Sequence, residues 1–173
     1  TEDFIVTEGY MDVVMLSEYG INNAVASLGT AFSQNHMNLM FKLRRKITFC
    51  FDSDEAGLKA AWRALQISLK NVVDDKTVRF LFLPEGYDPD SFVKENGEQE
   101  FYKKLDRAMV LESFAFQYLK RGKKLDSPED IRQIIFEFKK ILPLVTSEML
   151  KETLMTKFSS ELNINKEIFL KED

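Results

Sequence analysis

Six acidic residues stand where they could serve phosphate chemistry: Glu8, Asp12, Asp52, Asp54, Asp88 and Asp90. Glu8 follows the apolar run Phe4-Ile5-Val6-Thr7, Asp52 and Asp54 follow Ile47 to Phe51, and Asp88 and Asp90 flank Pro89 beyond Val78 to Leu83. Asp12 lies four residues after Glu8, one helical turn along the same face. Carboxylates gathered at one edge repel one another strongly. Such a gathering is tolerable where divalent cations neutralise it. All-oxygen donors suit Mg²⁺, with Mn²⁺ able to substitute, since these ions bind through a few carboxylates plus water and substrate phosphates.

Each acid also has a plainer reading. Asp54 at a strand-to-helix junction is a common helix cap. Asp88-Pro89-Asp90 fits an ordinary polar turn with Asp90 capping a short helix at Ser91-Phe92, and Asp12 alone fits a solvated helix residue. Glu8 is harder to set aside, because Gly9 beside it lets the backbone turn or a ligand approach closely. It is the joint placement that points to a site.

That placement requires strands ending at a common edge. The first half alternates short apolar runs with amphipathic ones: strands at Phe4–Thr7, Ala24–Ala26, Ile47–Phe51 and Val78–Leu83, and helices from about Tyr10 to Tyr19, from Ser33 to about Arg45 and from Glu55 to Leu69. Gly20 supplies a helix stop, and Met37, Met40, Phe41 and Arg44 fall near one face of the second helix. Strands apolar on both faces and separated by helices indicate a mostly parallel sheet covered on both sides. In such sheets ligands bind outside the carboxyl ends of the strands, where the acids are expected.

From about Glu98 the chain reads as helices only. Ser127-Pro128-Glu129-Asp130 is a helix start, and Ile131, Ile134, Ile135, Phe138 and Leu142 form an apolar stripe closed by Pro143. A further helix is expected over Ser147 to Leu162. With no low-complexity linker, the expected division is an α/β unit over 1–95 and a helical subdomain over 96–173 packed against it. The chain enters a core strand at once, which suggests a piece of something larger.

Composition narrows the classes. With 45% hydrophobic residues, 15 of them Phe, the 173-residue chain can bury a sizeable core. No apolar stretch nears the roughly 20 residues that span a bilayer, and Glu2 and Asp3 stand where a signal peptide needs basic residues, so an intracellular, cytoplasmic protein with no membrane partner is expected. Cys50 is the only cysteine, which excludes an internal disulfide and a cysteine-clustered zinc site; within an apolar run it reads as inert. A net charge of −4 weighs against a protein gripping nucleic acid through phosphates alone, unless the acids hold cations or the basic surface lies on other polypeptide. Asp52-Ser53-Asp54-Glu55-Ala56-Gly57 fails as a calcium-binding helix-loop-helix at Ala56 and at Arg63, where a bidentate Glu is needed. It also departs from phosphoaspartate phosphatases, which normally carry Thr or Val in place of Ala56.

Glu8-Gly9-Tyr10-Met11-Asp12-Val13, Gly20-Ile21-Asn22-Asn23-Ala24-Val25-Ala26-Ser27-Leu28-Gly29-Thr30 and Phe51-Asp52-Ser53-Asp54-Glu55-Ala56-Gly57 together resemble the TOPRIM domain of bacterial primases. The hallmark of that fold, shared with topoisomerases, some nucleases and recombination proteins, is a Glu after one strand and Asp-x-Asp after another. The Gly-Tyr-Met-Asp-Val and Ala-Ser-Leu-Gly-Thr segments, and Phe82-Leu83-Pro84 leading into Asp88-Pro89-Asp90, narrow the resemblance to primases. It is strong over about Phe4 to Val93 and looser in the helical remainder.

The resemblance implies a TOPRIM-type, mostly parallel α/β sheet flanked by helices and followed by a C-terminal helical subdomain. It implies the core of a DNA-dependent RNA polymerase making short RNA primers on single-stranded DNA from ribonucleoside triphosphates. Glu8 then matches the family's essential glutamate, a metal ligand or proton-transfer group; Asp52 and Asp54 match its metal-binding pair; and Asp12, Asp88 and Asp90 match further acids around the metals. It also implies that template grip, helicase binding and single-strand-binding-protein contacts belong to regions outside this chain. The chain alone is accordingly expected to be inactive, and the basic cluster Lys120-Arg121-Lys123-Lys124 reads as a solvated loop. The alternatives are a TOPRIM nuclease, using the same metals to activate water, and a non-catalytic module whose acids hold structural cations.

Overall fold

The computed structural model describes residues 3–27, 31–73 and 75–171. Its strands are β1 (Asp3–Thr7), β2 (Ala24–Ala26), β3 (Lys46–Phe51), β4 (Thr77–Phe82) and β5 (Met109–Val110). Its helices are α1 (Tyr10–Glu18), α2 (Gln34–Leu43), α3 (Glu55–Asn71), α4 (Pro89–Asn96), α5 (Glu98–Asp106), α6 (Leu111–Lys120), α7 (Pro128–Ile141) and α8 (Glu148–Leu162), with short 3-10 turns at Leu142–Leu144 and Lys166–Phe169. The strands form one sheet in the order β2-β1-β3-β4-β5. The first four run parallel, and β5 pairs antiparallel with β4.

Strand side chains alternate between faces, and the two faces collect different helices. Val6, Phe49, Phe51 and Phe80 pack with Met37, Met40 and Phe41 of α2, Ala61, Ala64 and Leu65 of α3, and Phe114 of α6. Ile5, Cys50 and Leu81 pack instead with Leu16 of α1, Phe92 and Val93 of α4, and Phe101 and Leu105 of α5. The sheet is therefore covered on both sides, as its doubly apolar strands require. Helices α7 and α8 form a third layer behind α6. There Phe158 meets Phe116 edge-on at 5.2 Å and stacks on Phe138 at 3.8 Å. Both halves of the chain thus feed one continuous core.

Three details differ from the sequence-based expectations. The second half is not helices only, since Met109–Val110 adds an antiparallel edge strand to β4. Two residues carry too little periodicity to be read as a strand, and the pairing comes from β4's open edge. Helix α2 ends at Leu43, so Arg44 is extended and exposed instead of sharing the apolar face; the chain is drawn into β3, where Lys46 pairs with Thr77 and its ammonium with Asp3 at 2.5 Å. Asp90 is not the cap of the short helix; Asp88 is, accepting from the Ser91 N–H at 2.8 Å. The Gly20 stop is as expected: Gly20 takes φ +84°, and the Ile21 N–H donates to the Leu16 carbonyl at 2.9 Å.

Candidate functional site

Chain order carries β1 out to β2 on one side and back to β3 on the other, so the carboxyl ends of β1 and β3 form the switch point of the sheet. Crevices at such points are where open α/β sheets bind ligands. Glu8 and Asp52 are the first residues beyond those two strands. The Asp52 N–H donates to Glu8 Oε1 at 3.3 Å, which joins residues 44 apart in sequence. On the next strand, β4 runs through Leu83 and Pro84 into the 85–88 loop. A cleft of about 650 Å³ opens between that loop and Asp52, Ser53 and Asp54.

Three of the acids are oriented by local backbone donors. The Gly9 N–H donates to Asp12 Oδ2 at 3.2 Å, placing that carboxylate in the first turn of α1, where the helix dipole favours negative charge. The Gly57 N–H donates to Asp54 Oδ1 at 2.7 Å, so Asp54 caps α3. Asp88 Oδ1 accepts from both the backbone N–H and the hydroxyl of Ser91, at 2.8 and 2.6 Å. The cap readings of Asp54 and the turn reading of Asp88 are therefore true of one oxygen each, and a carboxylate has further lone pairs to give.

The charges feel one another. Burial pushes the Glu8 carboxyl above its ordinary range; the Asp52 N–H opposes this, and the negative charges of Asp52, Asp54 and Asp12 add to it. Asp12 is raised by burial and then, against the Gly9 N–H, by Asp88, Asp52 and Asp90. Asp52 is raised by burial and by Asp54 and Asp88. Asp88 goes the other way, lowered by the Ser91 hydroxyl and N–H. All six predicted acids thus share one electrostatic neighbourhood. Cys50, wholly buried beneath it, has its thiol pushed far up by burial and then by the same acids, which leaves it an unreactive side chain.

Among the described residues no three Asp, Glu, His or Cys side chains stand together as a ready-made ion cage. The donor set nonetheless fits a divalent cation of the Mg²⁺ type, which needs only one or two carboxylates and keeps its waters. Two observations bear on this fit. Three neighbouring carboxyls are raised by burial first and then by one another's charge, which a cation would relieve, and Asp90 Oδ1 is buried with no hydrogen-bond partner among the described residues. A buried acceptor left unpaired costs about 1–3 kcal/mol, so it calls for a partner.

Sequence reasoning missed two contributors. Glu85 lines the cleft opposite Asp52; its place just after Pro84, on the same sheet edge, was the available signal. Gly57 is the second. A Cβ there would stand 2.1 Å from the Asp52 carbonyl oxygen and 2.9 Å from its carbon, so only glycine lets α3 seat against the Asp52 backbone. Its position three residues after Asp54 hints at a cap, but the close approach is tertiary. Leu28, Gly29 and Thr30, part of the loop singled out after β2, lie outside the described residues.

Residues 5–93, just over half of the chain, match the Toprim-like family. A DNA primase of Pseudomonas aeruginosa is 53% identical over 119 residues, which cover 68% of this chain and 18% of that protein. A solved DNA primase domain from Pseudomonas aeruginosa superposes with a TM-score of 0.90 at 40% identity, over 98% of this chain and 53% of that one. The primase catalytic domain solved with single-stranded DNA superposes with a TM-score of 0.86 at 37% identity, over 92% of this chain and 52% of that one. The chain thus spans about half of these solved domains and under a fifth of the longer relative. The strand order, the edge on which the acids gather and these matches agree: the chain belongs to the Toprim-like family and has the fold of the bacterial primase catalytic core.

Proposed function

We propose that this chain is the cation-binding core of a primase, acting in the synthesis of short RNA primers on single-stranded DNA by nucleotidyl transfer. The observation that carries the proposal is the junction at the switch point, where Glu8 and Asp52 are held side by side by a backbone hydrogen bond with Asp54 two residues on. Glu8, Asp52 and Asp54 would form the inner ligand set for Mg²⁺ or Mn²⁺, with Asp12, Asp88 and Asp90 completing the acidic surround. Bound divalent ions supply charge stabilisation for the attacking 3′-hydroxyl and the leaving pyrophosphate.

The chain's own residues do the rest by position. Glu8, at the end of β1, is placed to hold a cation or to take the hydroxyl proton of the attacking ribose. The Asp52 N–H keeps that carboxyl turned toward the β3 end. Gly57 and Asp54 fix the start of α3, so the 52–54 loop stays in register with Glu8. Catalysis of this kind is mainly positioning and electrostatics. In this reading 1–95 is the cation-binding unit and 96–173 a helical support. The template, the ribonucleoside triphosphates, the replicative helicase and the single-strand-binding protein are engaged largely by other polypeptide, so the segment alone does not prime. Its place is cytoplasmic, at replication forks; no helix among the described residues is long and apolar enough to cross a membrane.

In the intact primase, Glu8→Gln or Asp52→Asn should abolish primer synthesis on a single-stranded template while leaving circular dichroism unchanged. Normal priming by either variant at physiological Mg²⁺ would refute the role given to that residue.

A further inference from the structure

Beside the acidic edge, on the face covered by α2 and α3, lie two cavities that share Phe32 and Arg63 as walls. The smaller, about 210 Å³, reaches Thr7 and Glu8 at the end of β1 and Ser27 just after β2. The larger, about 400 Å³, runs along α3 past Gln66 and Lys70, with Gln34 opposite. That volume lies within the roughly 300–1,000 Å³ typical of small-ligand sites. Arg63, Gln66 and Lys70 are spaced i, i+3 and i+7, so they share one face of α3.

The charge pattern of the larger cleft runs against that of the whole molecule. The chain carries 28 acidic and 24 basic residues, yet among the described residues no carboxylate lines this cleft, whose polar groups are an arginine, a lysine and two amides. Arg63 is exposed and, among the described residues, has no ion-pair, hydrogen-bond or ring partner. Arg121, by contrast, is paired with Glu55 at 2.8 Å and Arg45 with Asp75 at 3.8 Å. A free guanidinium fork is well matched to phosphate oxygens. Phe32 is held edge-on against Phe49 at 4.8 Å, which fixes a ring between the two cavities.

We propose that the cleft along α3 is a phosphate-binding subsite adjoining Glu8, with Arg63 as its anchor, Lys70 as a second cation and Phe32 as a platform for a nucleobase. The identity of the ligand as a nucleotide rests on the nucleotidyl-transfer reading; the preference for phosphate rests on the cleft itself. The phosphate has two possible sources, the triphosphate of a free nucleotide or the phosphodiester of a strand, and both present the same oxygens to Arg63.

The test is side-chain and amide NMR on the isotopically labelled 173-residue chain at low salt, with divalent cations chelated throughout. The probes are tripolyphosphate, ATP and a short oligothymidylate. The Arg63 Nε–H and Gln66 amide resonances should shift saturably. Arg63→Ala should weaken binding by about tenfold or more, the loss of a charge-assisted contact, and Arg63→Lys by less. Shifts with tripolyphosphate and ATP but not the oligonucleotide assign the cleft to the nucleotide tail. Shifts with the oligonucleotide alone assign it to a strand, and Arg63→Ala should then flatten the salt dependence by about 0.7 in the log–log slope. A Phe32 ring shift seen with ATP and absent with tripolyphosphate places the base on that ring. No shift with any probe, or equal shifts in wild type and Arg63→Ala, overturns the proposal. Because no divalent cation is present, a failure here says nothing against the acidic site, and a failure of that site would leave this result standing.

Discussion

Gly57→Ala separates two opposing physical effects at the start of α3. Helix propensity alone favours alanine over glycine by about 1 kcal/mol in a helix interior. Sterics oppose it: the new Cβ would meet the Asp52 carbonyl oxygen at 2.1 Å, its carbon at 2.9 Å and the Asp52 nitrogen at 3.1 Å. These are backbone atoms and cannot swing aside, so the start of α3 and the 52–54 loop must part by about 1 Å to reach ordinary contact. Overpacking of this kind costs about 1–3 kcal/mol. The movement also strains the 2.7 Å bond from Gly57 to Asp54, a cap worth about 1 kcal/mol. The net expectation is a loss of roughly 1–3 kcal/mol, or about 2–12 °C in Tm for a chain of this size. Urea denaturation followed by circular dichroism reads the stability, and Mn²⁺ calorimetry reads the site, where affinity should fall because Asp52 and Asp54 move relative to Glu8. A Gly57→Ala protein as stable as wild type, or more so, would refute the close-approach reasoning and leave propensity in charge.

Two further expectations follow from the burial and charge of particular side chains. Burial first, and then neighbouring acids, hold Asp52 above its ordinary value of 3.8, so its ionisation costs more folded than unfolded. Without divalent cations, its contribution to stability is therefore neutral on the acid side of that value and becomes increasingly unfavourable as pH rises through the raised folded value. Asp52→Asn should gain stability relative to wild type as pH climbs toward neutrality, and a pH-independent difference between the two would contradict this. Phe138, fully buried and stacked on Phe158 at 3.8 Å, anchors the third layer. Phe138→Ala should lower unfolding free energy by about 3–5 kcal/mol, and a urea midpoint close to that of wild type would show that α7 contributes little to the common core.

The parallel sheet was legible because β1, β3 and β4 are apolar on both faces, and a run such as Ile47 to Phe51 needs cover on both sides. The acidic edge was legible because β1 and β3 each end just before an acid and the loop after β4 carries Asp88 and Asp90. Strand order was not, since whether β3 or β2 flanks β4 depends on which helix fills which face, and that is decided by packing among distant residues such as Phe49 and Phe114. The Met109–Val110 strand was hidden because two residues have no period, and β4's free edge supplies the reason for pairing. Asp88, not Asp90, caps α4 because Pro89 is preorganised for the first helical position, a rule that could have been applied to the sequence. The approach of Gly57 to Asp52 and the lack of a partner for Arg63 among the described residues were beyond reach, for both depend on how distant segments pack.

The central claim is that the acids at the switch point hold a divalent cation. Its most direct test is Mn²⁺ titration calorimetry of the chain against an Asp52→Asn/Asp54→Asn double variant. Asparagine removes both charges yet keeps an oxygen able to cap Gly57, so the fold should survive, as circular dichroism would verify. Saturable Mn²⁺ binding by the wild-type chain, lost in an equally folded variant, is the expected result. Equal binding by both proteins would contradict the claim and leave Asp52 and Asp54 as a surface charge and a helix cap.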